Sequence, residues 1–183
     1  METVAINANE ALAASIIAAH QFVEAVKAPR FKYALECVGA DGEAKWSEEL
    51  HNLVTTPGGN DLLDKYFKGA AYTAAWFLSL KSSRANLVAA TDTLASHGSW
   101  TEVFPQGGTN RTALVWPGSA AARSNTATLI AFAITVASTV VGGAFVASVI
   151  SGTAGILYSG TDFAADRTVI TGDTLNVTLT VSV

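Results

Sequence analysis

The ten residues from Thr174 to Val183 alternate polar and apolar without interruption. A period of two sends Leu175, Val177, Leu179, Val181 and Val183 to one face of a strand and Thr or Ser to the other. The same alternation predicts a strand over 31–38, with Phe31, Tyr33, Leu35 and Cys37 on one face and Lys32, Ala34 and Glu36 opposite. Asp41-Gly42 then signals a turn, and Lys45 to Val54 returns as a second strand anchored by Trp46. Further strands are predicted at Tyr72–Leu80, Thr112–Trp116, 126–138, 143–150, 154–158, 167–171 and 174–183. Turn signals recur at roughly ten-residue intervals, the spacing of an all-β sandwich or jelly roll. A chain that closes on a strand without a charged tail is expected to be a compact β building block.

Two segments carry a helical period instead. Residues 7–27 are alanine-rich, Asn7 or Asn9 can cap them, and Leu12, Ile16, Val23 and Val26 form a narrow apolar stripe. Ala28-Pro29 ends that helix. The second is a short helix from Asp61 to Lys68, capped by Asn60, with Leu62, Leu63, Tyr66 and Phe67 facing inward and Gly69 as its stop. The expected fold is mainly β, an antiparallel sandwich or jelly-roll-like domain over 31–183, preceded by a helical arm over 1–30. The arm packs on its own domain or on a neighbouring subunit.

Residues 124–161 contain no charge, and 129–150 has the length of a membrane span. The period argues otherwise. Ile130, Phe132, Ile134 and Val136 alternate with Ala131, Ala133, Thr135 and Ala137, and Gly142-Gly143 reads as a hairpin break. The flanks also lack the Lys/Arg clusters that anchor a span. Residues 1–30 have no basic n-region and carry His20, Glu24 and Lys27, so no secretory signal is expected.

Charge narrows the function classes. Charged residues are 14% of the chain, against about 25% in a typical domain. So few charges predict a surface largely covered by neighbours. A net charge of −4 with scattered basic residues argues against nucleic acid. The single Cys37 permits no internal disulfide and reads as a small buried hydrophobe.

Little catalytic chemistry is legible. His20, His51 and His97 are far apart on elements of different type, and neither a His pair nor a Cys pair has zinc-ligand spacing. Gly-x-Ser-x-Gly and both phosphate loops are absent. Gly58-Gly59-Asn60-Asp61 reads as a helix start. The carboxylates leave two alternatives open. Asp162, Asp166 and Asp173 could form a calcium site on loops; Glu48-Glu49 form a pair, but a glycosidase needs two carboxylates at a set separation across a cleft, and nothing in the sequence fixes such a pair. The plainer expectation is that Arg167 meets an aspartate in a 162–167 loop and that Asp173 is a turn residue after Gly172. No cofactor and no metal are expected. Trp46 and Trp76 fall in strands and read as core; Trp100 and Trp116 flank the long polar stretch 81–111 and are expected to be the more exposed, able to line a sugar-binding surface. The candidate interaction residues are therefore Leu12, Ile16, Val23 and Val26 on the helical stripe, with Trp100 and Trp116.

Four stretches resemble a family of small virion proteins of tailed bacteriophages, found among head and structural genes. They are Asn52 to Phe67 (Asn-Leu-Val-Thr-Thr-Pro-Gly-Gly-Asn-Asp-Leu-Leu-Asp-Lys-Tyr-Phe), Tyr72 to Phe77, Asp92 to Glu102 (Asp-Thr-Leu-Ala-Ser-His-Gly-Ser-Trp-Thr-Glu) and Gly172 to Thr178. The resemblance spans about residues 31–183, leaves 1–30 outside, and implies no catalytic residues. Stretch 103–125 is shorter than the family pattern. What it implies is a virion structural protein made in the host bacterial cytoplasm. The leading expectation is a decoration or cement protein on the capsid exterior. It would bind the major capsid protein across its seams and associate with itself as a homotrimer, with no nucleic acid or membrane partner. A tail-fibre or head-fibre component that binds glycan is the alternative, and a glycan hydrolase the third.

Overall fold

The computed structural model describes residues 29–71, 75–98, 100–117 and 124–182. Among them are eleven strands and one helix, in the order β1 (Arg30–Val38), β2 (Ala44–His51), β3 (Leu53–Val54), α1 (Thr56–Phe67), β4 (Phe77–Lys81), β5 (Glu102–Val103), β6 (Thr112–Ala113), β7 (Ser124–Thr126), β8 (Ile130–Ala133), β9 (Ser138–Ala147), β10 (Leu157–Ile170) and β11 (Thr174–Ser182). The helix expected over 7–27, with Leu12, Ile16, Val23, Val26 and His20, lies outside the described residues, as do 72–74 and Val183.

The strands build two antiparallel sheets. The first runs β2-β1-β11, and β7 and β8 both pair with the far side of β11. The second runs β3-β10-β9-β4, with β5 and β6 on β4. The alternations at 31–38 and 174–182 meet in one register, Tyr33 opposite Leu179, Leu35 opposite Val177 and Cys37 opposite Leu175, all buried. A one-residue slip would turn every one of them to solvent, so burial fixes the register. The second sheet faces them with Leu78, Leu80, Val141, Val146, Phe163 and Val169, closing a sandwich core. One polar contact crosses that core: Tyr33 Oη and Ser159 Oγ share a hydrogen bond of 2.7 Å. Burial pushes the Tyr33 phenol pKa far up, and the Ser159 contact offsets part of it.

Several boundaries differ from the expectation, each for a tertiary reason. The expected strand 45–54 breaks at Asn52, whose side chain accepts from Phe31 N at 3.0 Å. After it, β3 crosses to the second sheet and pairs with β10. The helix begins a turn earlier than the Asn60 cap predicts. Thr55 is the cap, accepting from Gly58 N at 3.2 Å, and its hydroxyl also donates to the Leu157 carbonyl. Gly58 is required there, because a Cβ would stand 2.3 Å from the Tyr158 carbonyl oxygen. At the other end Gly69 is left-handed, with φ 68°, and stops the helix as expected.

Gly142-Gly143 is not a hairpin; both residues lie inside β9. A Cβ on Gly142 would stand 2.2 Å from Arg84 N, so glycine there admits a neighbouring backbone, not a turn. The strands expected at 154–158 and 167–171 are one strand, β10, and 162–167 is no loop. Asp162 pairs with Gly143 and Arg167 with Val141, so residues 163–166 bulge against Gly142. The expected strand 126–138 is split into β7 and β8, and no helix forms in the uncharged stretch. No helix among the described residues is long and apolar enough to cross a membrane.

Candidate binding groove

Among the described residues, a concavity opens at one end of the sandwich, between the sheets and beside α1. The start of β1 and the end of β11 meet there (Arg30 opposite Ser182), and β7 adds Asn125 opposite Val181. From the second sheet come Trp76, just before β4, and Tyr158, at the start of β10, because Phe77 and Leu157 both pair with Ala147. The groove has a volume of about 590 Å³.

Its walls are aromatic. Tyr158 is held between Phe31 (ring centroids 5.3 Å) and Trp76 (4.7 Å, edge-on at 73°). Trp116, half-buried beyond β6, adds a further ring. The α1 side supplies Asp61 and Lys65, an ion pair of 3.3 Å one helical turn apart. Thus the rim is polar and the floor apolar, the usual make-up of a small-ligand site.

The two tryptophans expected to be exposed part company. Trp116 lines the groove. Trp100 is only 2% exposed, which corrects its assignment as a surface residue. Its indole Nε1 donates to Asp92 Oδ2 at 3.0 Å, His97 stacks on it at 3.9 Å, and Phe145 lies below. The physical reason is that the 88–104 segment covers the outer face of the second sheet. Trp100, Leu94, Phe145, Ala147 and Leu157 form a second, smaller core there. Buried Arg111 locks that layer, bidentate to Glu102 at 2.8 Å and donating to the carbonyls of Val149 and Gly152. Trp76, expected as core alone, both packs against the core and lines the groove, as do Phe31, Val146 and Tyr158.

The three aspartates do not converge, so the calcium alternative fails. Asp162 accepts from buried Lys81 and from Val88 N, Asp166 from Ser83 Oγ and Arg84 N, and Asp173 from Lys45 at 2.7 and 2.9 Å and from Ile170 N. Arg167 meets Glu48, not an aspartate. Glu48 and Glu49 diverge as well: Glu48 also accepts from Ala164 N, while Glu49 pairs with Lys32 at 2.9 Å. The Lys32 ammonium holds the Glu49 carboxyl below its ordinary pKa. Among the described residues, no group of three His, Cys, Asp or Glu side chains is placed to hold a metal. Cys37 is fully buried as expected, and burial, with the Asp173 carboxylate beside it, pushes its thiol pKa up.

A second surface flanks the groove on α1. Leu63 is 53% and Phe67 82% exposed, against the expectation that both face inward; Leu62 takes the inward position and lines the groove. Spaced i, i+4, the two exposed side chains lie on one helical face. Sequence comparison supplies no relative: no protein-family model matches the chain, and no curated protein matches it.

Proposed function

We propose that the chain is a structural protein of a tailed-phage virion that works by adhesion, as a decoration or cement protein on the capsid. The virion setting rests on the resemblance of the four stretches over 52–67, 72–77, 92–102 and 172–178. The adhesive role rests on one observation, the exposed Leu63–Phe67 pair. A solvated Phe on a rigid helix costs solubility, and burial against a partner recovers about 25 cal/mol per Å² of apolar area. Many copies on a repeating shell turn a modest contact into avidity. The apolar stripe of Leu12, Ile16, Val23 and Val26 is a second contact in this reading, reaching a neighbour.

The test adds purified protein to expanded, undecorated heads of the encoding phage. Saturable binding that raises the melting temperature of the heads is expected. Phe67→Glu should weaken it at least about tenfold, because a charge replaces a buried ring. Wild-type protein that does not sediment with heads defeats the proposal.

A further inference from the structure

We propose that the groove beside α1 takes a neutral sugar ring, one hexose unit of a short oligosaccharide. Its lining selects this chemistry by elimination. Half-buried Trp76 and Trp116 offer ring surface against which the C–H face of a pyranose packs, and Tyr158, buried between Phe31 and Trp76, holds the Trp76 ring in place. A purely apolar ligand would strip water from the Asp61 carboxylate and the Asn125 amide without replacing it. Among the described lining residues a charged ligand finds no free countercharge, because Asp61 and Lys65 neutralise each other at 3.3 Å. A sugar satisfies both demands, with an apolar face and a ring of hydroxyls that both donate and accept. Carboxylate, ammonium and amide together provide acceptors and donors for those hydroxyls. The volume of about 590 Å³ lies within the range of sites for small ligands.

This inference is independent of docking on a shell. The experiment is saturation-transfer NMR on the full chain with maltotriose, cellotriose and chitotriose as probes. Transfer to the ring protons of at least one probe is expected. Trp116→Ala and Asn125→Ala should each weaken that binding about tenfold, with the near-UV circular dichroism of the buried Trp100 cluster unchanged. Should Trp116→Ala fail to fold, Asn125→Ala and Lys65→Ala carry the comparison. No transfer to any probe overturns the proposal, and so does transfer that both variants leave intact. Light scattering showing that Trp116→Ala abolishes self-association instead would assign the groove to a second copy of the chain and overturn it too. Sugar binding without head binding would sink the shell reading alone; head binding without sugar binding would sink this one alone.

Discussion

Asp173 follows Gly172 at the turn into β11, yet it is only 2% exposed. Burial alone would raise its carboxyl pKa, but the Lys45 ammonium and the Ile170 N–H outweigh that and hold it below the ordinary value. The unfolded chain therefore takes up this proton near pH 4, before the folded chain does. The stability Asp173 supplies is complete above about pH 4 and is lost as pH falls through the lower folded value. For Cys37 the sign is opposite. Its raised pKa supplies stability that is complete below about pH 8.5 and declines as pH rises further. Asp173→Asn should cost about 1–3 kcal/mol at pH 7 and flatten the acid limb of the urea midpoint plotted against pH; an unchanged limb would show that another carboxyl sets it. Glycines give a paired prediction by the same measurement. Gly142→Ala drives a Cβ into the Arg84 backbone and should cost about 3 kcal/mol. Gly59→Ala, in α1 with open space around it, should gain about 0.5–1 kcal/mol. Equal effects at the two sites would refute the close-approach account.

At the scale of elements, legibility followed locality. Strands β1 and β11 were readable because each buries one face, so their period is written in the chain. Strand β10 was not, because the polar run that reads as a loop is satisfied from elsewhere: Asp162 by Lys81, Asp166 by Ser83 and Arg84, and the Ala164 N–H by Glu48. None of those partners is within reach of a local pattern. The Lys81 side chain is fully buried, and removing one partner of a buried pair leaves an uncompensated charge. Lys81→Met should therefore cost about 3–5 kcal/mol. The double variant Lys81→Met, Asp162→Asn should recover at least half of that, since no charge is stranded. Chemical denaturation of the four proteins in the cycle reads the coupling, and strictly additive losses would rule out a direct Lys81–Asp162 interaction.

For the molecule as a whole, the sandwich, the groove and the exposed Leu63–Phe67 face of α1 are separate consequences of one topology. Trp100 lies within the polar stretch 81–111 and Trp116 just after it, and yet the first plugs the outer layer while the second borders the groove. Trp100→Ala should accordingly cost about 3–5 kcal/mol, whereas Trp116→Ala should cost under half of that; thermal unfolding ranks them, and the reverse order would refute the layer assignment. The groove itself had no signature along the chain, because Phe31, Asp61, Trp76, Trp116, Asn125 and Tyr158 come from different elements. Alternation and composition by themselves determined the β class, the inward faces of β1, β8 and β11, the burial of Cys37 and the strand character of the uncharged stretch, since a period of two is a local property of a pleated chain. Sheet membership, the bulge in β10, the partner of each aspartate and the convergence of the aromatic rings were decided only in the tertiary structure. They depend on which strands come to lie side by side, and no local pattern encodes that.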